Sequence, residues 1–194
     1  MLAAFKVTIL ALQIPSVHTA IGGAAARVPP RDPGSPLEEG TDSGFLPELE
    51  YRPWRPGDLF AGEPLPITYG RRFVAVLPNS ETVAGYVESE EDKPPPAYLE
   101  DELPEMTERD TVVYISFVIV HSYVQNKRVA STMLPKALDD IRVRWPTAIA
   151  AHLVADRTQT AATKLYNRLN FTVVHRSRQS LFLLYKYPPH NASQ

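Results

Sequence analysis

The second half of the chain alternates between unbroken apolar runs and helical spacing. Residues 111–120 (TVVYISFVIV) form a continuous β-branched and aromatic run, which predicts a strand buried on both faces. A polar and basic stretch beginning at His121 interrupts it. Ala130, Met133, Leu134, Ala137, Leu138, Ile141 and Trp145 then recur at helical spacing until Pro146 ends the run. A strand that feeds a helix through a basic turn presents free N–H groups at the helix start, and such a start favours anions. Residues 148–155 (AIAAHLVA) predict another buried strand. Asp156 or Thr158 is placed to cap a further helix, on which Ala162, Leu165, Tyr166 and Leu169 share a face. Asn170 suits a left-handed stop, and residues 171–175 and 180–187 read as two last strands.

Upstream the pattern is weaker. Residues 72–77 (RFVAVL) and 82–88 (TVAGYVE) predict two strands joined as a hairpin by Pro78-Asn79-Ser80-Glu81. Residues 88–110 hold ten acidic residues against Lys93 and Arg109, around Pro94-Pro95-Pro96, and predict a mobile loop that buries little apolar surface. Residues 27–46 are rich in Pro, Gly and acid and read as a linker. Residues 1–26 contain no acidic residue, and a short apolar run follows Lys6. That run is too short to span a bilayer, so no transmembrane segment is expected. A targeting segment and a loosely docked N-terminus both fit it, which leaves the compartment open: cytoplasmic, or organellar or secretory if the segment is cleaved. The expected organisation is a terminal segment and linker over 1–47, one domain over 48–187 carrying the 88–110 insertion, and a tail over 188–194.

A length of 194 residues with 44% apolar content suits one domain plus tails. The net charge of −2 hides an asymmetry. Residues 1–110 hold 9 Lys/Arg against 19 Asp/Glu, a net of −10, whereas residues 111–194 hold 11 against 3, a net of +8. The basic half contains the turn before the central helix, so it suits a polyanionic small ligand as well as nucleic acid; a nucleic-acid module is the weaker option, and no nucleic-acid partner is expected. Fifteen of the 19 prolines precede residue 111, so the compact fold is concentrated after it. The absence of cysteine excludes disulfides, cysteine nucleophiles and thiolate metal sites. Five scattered histidines give no metal site.

The turn Gln125-Asn126-Lys127-Arg128-Val129-Ala130 resembles the acetyl-CoA signature Gln/Arg-x-x-Gly-x-Gly/Ala of the GNAT acyltransferase superfamily, with Arg128 where the first glycine belongs. Residues 158–171 (TQTAATKLYNRLNF) are similar to that superfamily's second hallmark, Asn-x-x-Ala-x-x-(Phe/Leu)-Tyr-x-x-x-Gly-Phe, with Gln159 for the asparagine and Asn170 for the glycine. Residues 49–59 look like its Arg-Pro-x-x-Pro-x-Asp-Leu opening, with Asp58 placed to cap a helix that the following residues do not continue. Leu65-Pro66-Ile67-Thr68-Tyr69 is similar to a segment of the protein N-terminal (Nα) acetyltransferase branch. The resemblance covers roughly residues 49–187 and implies an α/β GNAT fold: a mixed central sheet of about six or seven strands flanked by helices, with splayed parallel strands at the centre.

The resemblance further implies a transferase moving acetyl from acetyl-CoA to an amine by direct attack, without a metal. It implies pantetheine contacts at Val118, Ile119 and Val120, and phosphate contacts over Gln125, Asn126, Lys127, Arg128, Val129, Ala130 and Ser131, with Gln159 beside them. Tyr166 would hydrogen-bond the CoA sulfur, or serve as a core tyrosine. Tyr114 would stand near the substrate amine, or be an ordinary strand aromatic. The branch's catalytic histidine falls at Val154, and His152, two residues earlier on the same strand face, is the substitute. Leu65, Pro66, Ile67 and Tyr69 would receive a protein or peptide N-terminus, with room for an auxiliary subunit. The acidic insertion is expected over the cofactor groove. A small-amine or lysine acetyltransferase and a non-catalytic binding module of the same fold are the alternatives.

Overall fold

The computed structural model describes residues 48–189. The expectations for the N-terminal segment, for the linker and for most of the tail therefore lie outside the described residues. Nine strands and two helices follow in chain order: β1 Glu50–Pro53, β2 Leu59–Phe60, β3 Glu63–Pro64, β4 Arg71–Val76, β5 Thr82–Glu91, β6 Thr111–Val120, α1 Val129–Arg144, β7 Ala148–Asp156, α2 Thr160–Arg168, β8 Thr172–Arg176 and β9 Ser180–Lys186. The sheet runs β1-β4-β5-β6-β7-β9-β8, with the short β2 and β3 attached beside β5. Among the described residues only the β6–β7 and β2–β5 pairs are parallel.

The β6 strand is unbroken in sequence but not in geometry. Its register with β5 passes from Phe117 opposite Glu88 to Ile115 opposite Ser89, so Ser116 is an extra residue. Such a bulge bends the strand and switches which alternate residues face each side. Val113 and Ile115 before it, and Val118 and Val120 after it, accordingly enter one core cluster despite their opposite parity. That cluster also takes Met133, Leu134, Ala137 and Ile141 from α1 and Ala162 and Tyr166 from α2. Two satellite clusters complete the core, one around Leu65, Val74, Val76 and Ile119, the other around Leu99, Val112, Ala150 and Leu184.

Two expectations are corrected here. Asp58 caps no helix: its carboxylate takes two bonds from the Arg52 guanidinium at 2.8 and 2.7 Å and one from the Arg55 amide at 2.7 Å, holding the turn before β2. Burial works to raise the Asp58 carboxyl, but the Arg52 pair and the Arg55 amide outweigh it and hold the group below the usual range. Where a helix would follow, Ala61 and Gly62 take positive φ of 55° and 83°, and they turn the chain back as the two-residue hairpin β2–β3. Neither Asp156 nor Thr158 caps α2. Gln159 occupies that position without a side-chain cap, and Asp156 instead accepts from the Thr158 amide and hydroxyl. Asn170 does take the left-handed conformation, at φ 65°.

The insertion also differs from a mobile loop. Its first residues extend β5 to Glu91, and a single 3-10 turn, Ala97–Leu99, buries Leu99 to 1% exposure against Val112, Ala150 and Leu184. Tyr98, Leu103 and Met106 pack around this plug. Val112 and Val113 point to opposite sides of the strand, so the insertion covers the sheet face opposite the one on which the α1 and α2 side chains pack. Ten acidic residues surround a small apolar anchor, which composition averaged away.

Candidate functional site

The β6 and β7 strands pair only from Thr111 opposite Ala148 to Tyr114 opposite His152. Beyond that point they part, β6 running on to Val120 and β7 to Asp156. The bulge at Ser116 sits just past the parting, and the Ser116 hydroxyl bonds the Glu88 carbonyl at 3.4 Å. Parting leaves the β7-side edge of β6 without a strand partner, so alternate peptide groups of that edge face an opening.

A cleft of about 660 Å³ lies in continuation of this opening. Val118 and Val120 line it from β6, Gln125, Asn126 and Arg128 from the turn, Val129, Ala130 and Ser131 from the first turn of α1, and Ala161, Ala162, Leu165 and Arg168 from α2. The turn uses two left-handed residues, Asn126 at φ 63° and Arg128 at φ 62°. Arg128 thus adopts the backbone that glycine supplies in such turns, at a cost of about 1–2 kcal/mol, and its side chain is exposed. Arg128 is the N-cap of α1 without any side-chain cap, and the first intrahelical bond runs from the Thr132 amide to the Arg128 carbonyl at 3.1 Å. The amides of Val129, Ala130 and Ser131 are therefore without acceptors among the described residues. Donors, helix dipole and the cations Arg128 and Arg168 all favour an anion in this cleft.

Two further features lie outside the cleft lining. Tyr166 on α2 is fully buried, and its hydroxyl has no hydrogen-bond partner among the described residues. Burial pushes its phenol up, so the group is a neutral donor without an acceptor. On the opposite sheet face His152 is 1% exposed, and both ring nitrogens are engaged: Nε2 lies 2.8 Å from the Asp92 carboxylate and Nδ1 lies 2.9 Å from the Tyr98 hydroxyl. The Tyr114 ring is tilted over His152 with centroids 5.0 Å apart. Burial first, then the Glu90 and Asp92 charges, push the Tyr114 phenol up to about 12. Burial and the Glu88 and Asp92 charges likewise raise the Glu90 carboxyl.

Of the predicted site residues, Val118, Val120, Gln125, Asn126 and residues 128–131 line the cleft, Tyr166 is buried outside that lining, and Tyr114 and His152 meet at the end of the β6–β7 pairing. Ile119 turns into the Leu65 cluster, Lys127 lines a separate hollow with Tyr51 and Lys136, and Gln159 caps α2 outside the cleft lining. Leu65 is core and offers no free wall, while Pro66 is exposed with its carbonyl accepting from Arg72 at 2.6 Å. Ile67 and Tyr69 project almost wholly into solvent beside a hollow that also takes Glu88 and Glu90. The acidic insertion does not cover the cleft; it meets His152 instead. Sequence reading missed Tyr98 and Asp92. The signal available was the Tyr98-Leu99 pair directly after Pro96, an aromatic and an aliphatic residue in an otherwise acidic run. No group of three or more His, Asp or Glu that could hold a metal occurs among the described residues. No helix among them is long and apolar enough to cross a membrane.

No protein-family model matches the sequence, and no curated protein matches it. Solved structures do match the fold. NAA60 from Arabidopsis thaliana in complex with acetyl-CoA superposes with a TM-score of 0.56 at 18% identity, over 71% of this chain and 98% of that one. The same protein with a bisubstrate analogue gives 0.54 at 17%, over 71% and 97%. The NatC complex bound to Gag peptide and CoA gives 0.54 at 16%, over 73% and 99%. Agreement over nearly the whole of each neighbour, with a mixed sheet whose central parallel strands part beside an open helix start, identifies the fold of this chain as that of the GNAT N-acetyltransferases.

Proposed function

We propose that this chain is an N-acetyltransferase that takes acetyl-CoA and a protein N-terminal α-amine and joins them by direct attack in a ternary complex. The observation that carries the reading is the start of α1: uncapped amides of Val129, Ala130 and Ser131 open into a cleft continuous with the unpaired edge of β6. That arrangement suits a ligand with a diphosphate at one end and an amide-bearing arm at the other. The amides and Arg128 hold the diphosphate, while the β6 edge from Val118 to Val120 pairs with the arm. The orphaned Tyr166 hydroxyl fits the same ligand, because a departing thiolate supplies the acceptor it lacks.

Bound acetyl-CoA supplies a thioester carbonyl at the point where β6 and β7 part. The chain's task is then to orient the amine, remove its proton and stabilise the leaving sulfur. Tyr114 and His152 stand at that point on adjacent strands. Tyr114 remains a neutral phenol at physiological pH and serves as a hydrogen-bonding group that positions the amine. Glu90 and Asp92 favour a cationic acceptor before it loses its proton. Ile67 and Tyr69, exposed beside Glu88 and Glu90, provide the apolar rim against which the first residues of a peptide would lie. The NatC structure, bound to Gag peptide and CoA, supports a peptide acceptor over a small amine.

Calorimetric titration with acetyl-CoA, followed by an acetylation panel of peptides beginning Met-Leu or Met-Lys against polyamines, tests the reading. Saturable binding and peptide turnover are expected. Absence of binding at high micromolar acetyl-CoA overturns the proposal, and turnover of polyamines alone overturns the peptide acceptor.

A further inference from the structure

We propose that the 88–110 insertion is part of the reaction centre, and that Tyr98, His152 and Asp92 form a proton relay serving the acceptor amine. The inference rests on the acetyl-transfer reading and adds residues that the fold's own elements do not supply. His152 is buried with both ring nitrogens occupied, so it reaches no ligand directly. The Asp92 carboxylate only accepts hydrogen bonds, so His152 Nε2 carries the proton and donates to it. A neutral imidazole then has a bare Nδ1, which accepts from the Tyr98 hydroxyl. The tautomer is fixed by its two neighbours. The Tyr98 oxygen keeps lone pairs free to accept from an amine, and its ring is only half buried.

The surroundings favour a transient imidazolium. Facing His152 and Tyr98 are Glu90 and Asp92 from β5 and its extension, Tyr114 from β6, His175 from β8 at 6.1 Å from the Tyr98 ring, and Phe182 from β9 at 4.8 Å. The two carboxylates supply the only fixed charge in this set, and it is negative. Burial first, then Asp92 and Tyr114, push the Tyr98 phenol up, so it works as a hydroxyl that passes a proton and not as a standing phenolate. Tyr98 is also gripped by stacking on His175 and by edge contact with Phe182, which holds the hydroxyl on Nδ1.

In the reaction, the amine nitrogen bonds to the thioester carbonyl carbon as the carbon–sulfur bond breaks. The nitrogen's proton passes to the Tyr98 oxygen while the Tyr98 proton passes to His152 Nδ1, and Asp92 balances the imidazolium. The sulfur leaves with the bonding electron pair and takes a proton from water, and His152 returns one to water during the reset. Protons balance over the cycle. Tyr98 is the catalytic residue of this set; His152 and Asp92 act through it.

The full chain, acetyl-CoA and a Met-Leu peptide test it with Tyr98→Phe and Asp92→Asn. A relay predicts a fall in kcat of about 10²- to 10³-fold for Tyr98→Phe, with KM for acetyl-CoA unchanged. Losing the Asp92 charge lowers the affinity of His152 for its proton, so the acid limb of kcat moves to lower pH in Asp92→Asn. A purely structural anchor moves neither the limb nor kcat apart from KM. Long-range ¹H–¹⁵N NMR of the unmodified chain must show His152 as the Nε2-protonated tautomer, and the opposite tautomer overturns the relay whatever the variants do. Active wild type with unaltered variants overturns the relay alone. Wild type that neither binds nor turns over acetyl-CoA overturns the transfer reading and the relay with it.

Discussion

The two sides of the central sheet solve the same problem in opposite ways. On the cleft side, a local turn does the work: Asn126 and Arg128 adopt left-handed backbone, α1 starts without a cap, and three amides are left open. On the other side nothing is local. Tyr98 in the insertion and Asp92 just past the end of β5 precede His152 on β7 by 54 and 60 residues in the chain, yet both bond its imidazole at 2.9 and 2.8 Å. A turn made by backbone tolerates side-chain change, and Arg128 holds the left-handed conformation there at φ 62°. A site made by side chains across distant elements depends on every packed neighbour, Leu99 above all.

The comparison breaks most readily at Leu99. Truncation to Ala removes the plug on Val112, Ala150 and Leu184 and should cost about 2–5 kcal/mol in denaturant unfolding. The same variant should leave acetyl-CoA affinity within about threefold, because the cleft contains no residue of the insertion. Equal loss of both would mean the two sides are not separate. Ser131→Glu places a carboxylate among the open amides of α1, and acetyl-CoA affinity should fall at least about tenfold, roughly 1.4 kcal/mol, with the melting temperature little changed. Retained affinity would remove the helix start from the site.

Alkaline titration sharpens the contrast from the side-chain half. The Tyr114 phenol is raised to about 12 when folded, against about 10 when unfolded. The unfolded chain therefore releases its proton first, and stability falls as pH rises from about 10 toward 12. Tyr98 and Tyr166 shift in the same direction and add to the loss. Denaturant melts between pH 9 and 12 should show it, and Tyr114→Phe should flatten part of the slope. The smallest effect is expected from Arg128→Gly: relief of left-handed strain should raise stability by about 1 kcal/mol, while acetyl-CoA affinity changes less than tenfold. A larger affinity loss would show that the guanidinium, and not the backbone, holds the ligand.

What could be read from the residues follows the same division. The β6 run, the α1 spacing and the β7 run are legible because burial writes itself into unbroken apolar or helical periodicity, and the left-handed stop at Asn170 is legible because few residues tolerate that conformation. The parting of β6 from β7 is not written in apolar content, and neither is the extra residue at Ser116 just past it; pairing alone reveals both. The cap expected at Asp58 failed for a related reason, since Arg52 claims that carboxylate from six residues away. Tyr98 and Leu99 were hidden by the charge of their neighbours. A two-residue anchor hardly moves a composition of ten acids, although it buries Leu99 to 1% exposure.

The central claim is that the open start of α1 receives the diphosphate of acetyl-CoA. Backbone ¹H–¹⁵N spectra recorded through an acetyl-CoA titration test it at the atoms concerned. The account predicts saturable shifts at the Val129, Ala130 and Ser131 amides that acetyl-CoA and free CoA produce alike and that Ser131→Glu abolishes. Unmoved amides at saturating acetyl-CoA, or shifts confined to the insertion face, would contradict it.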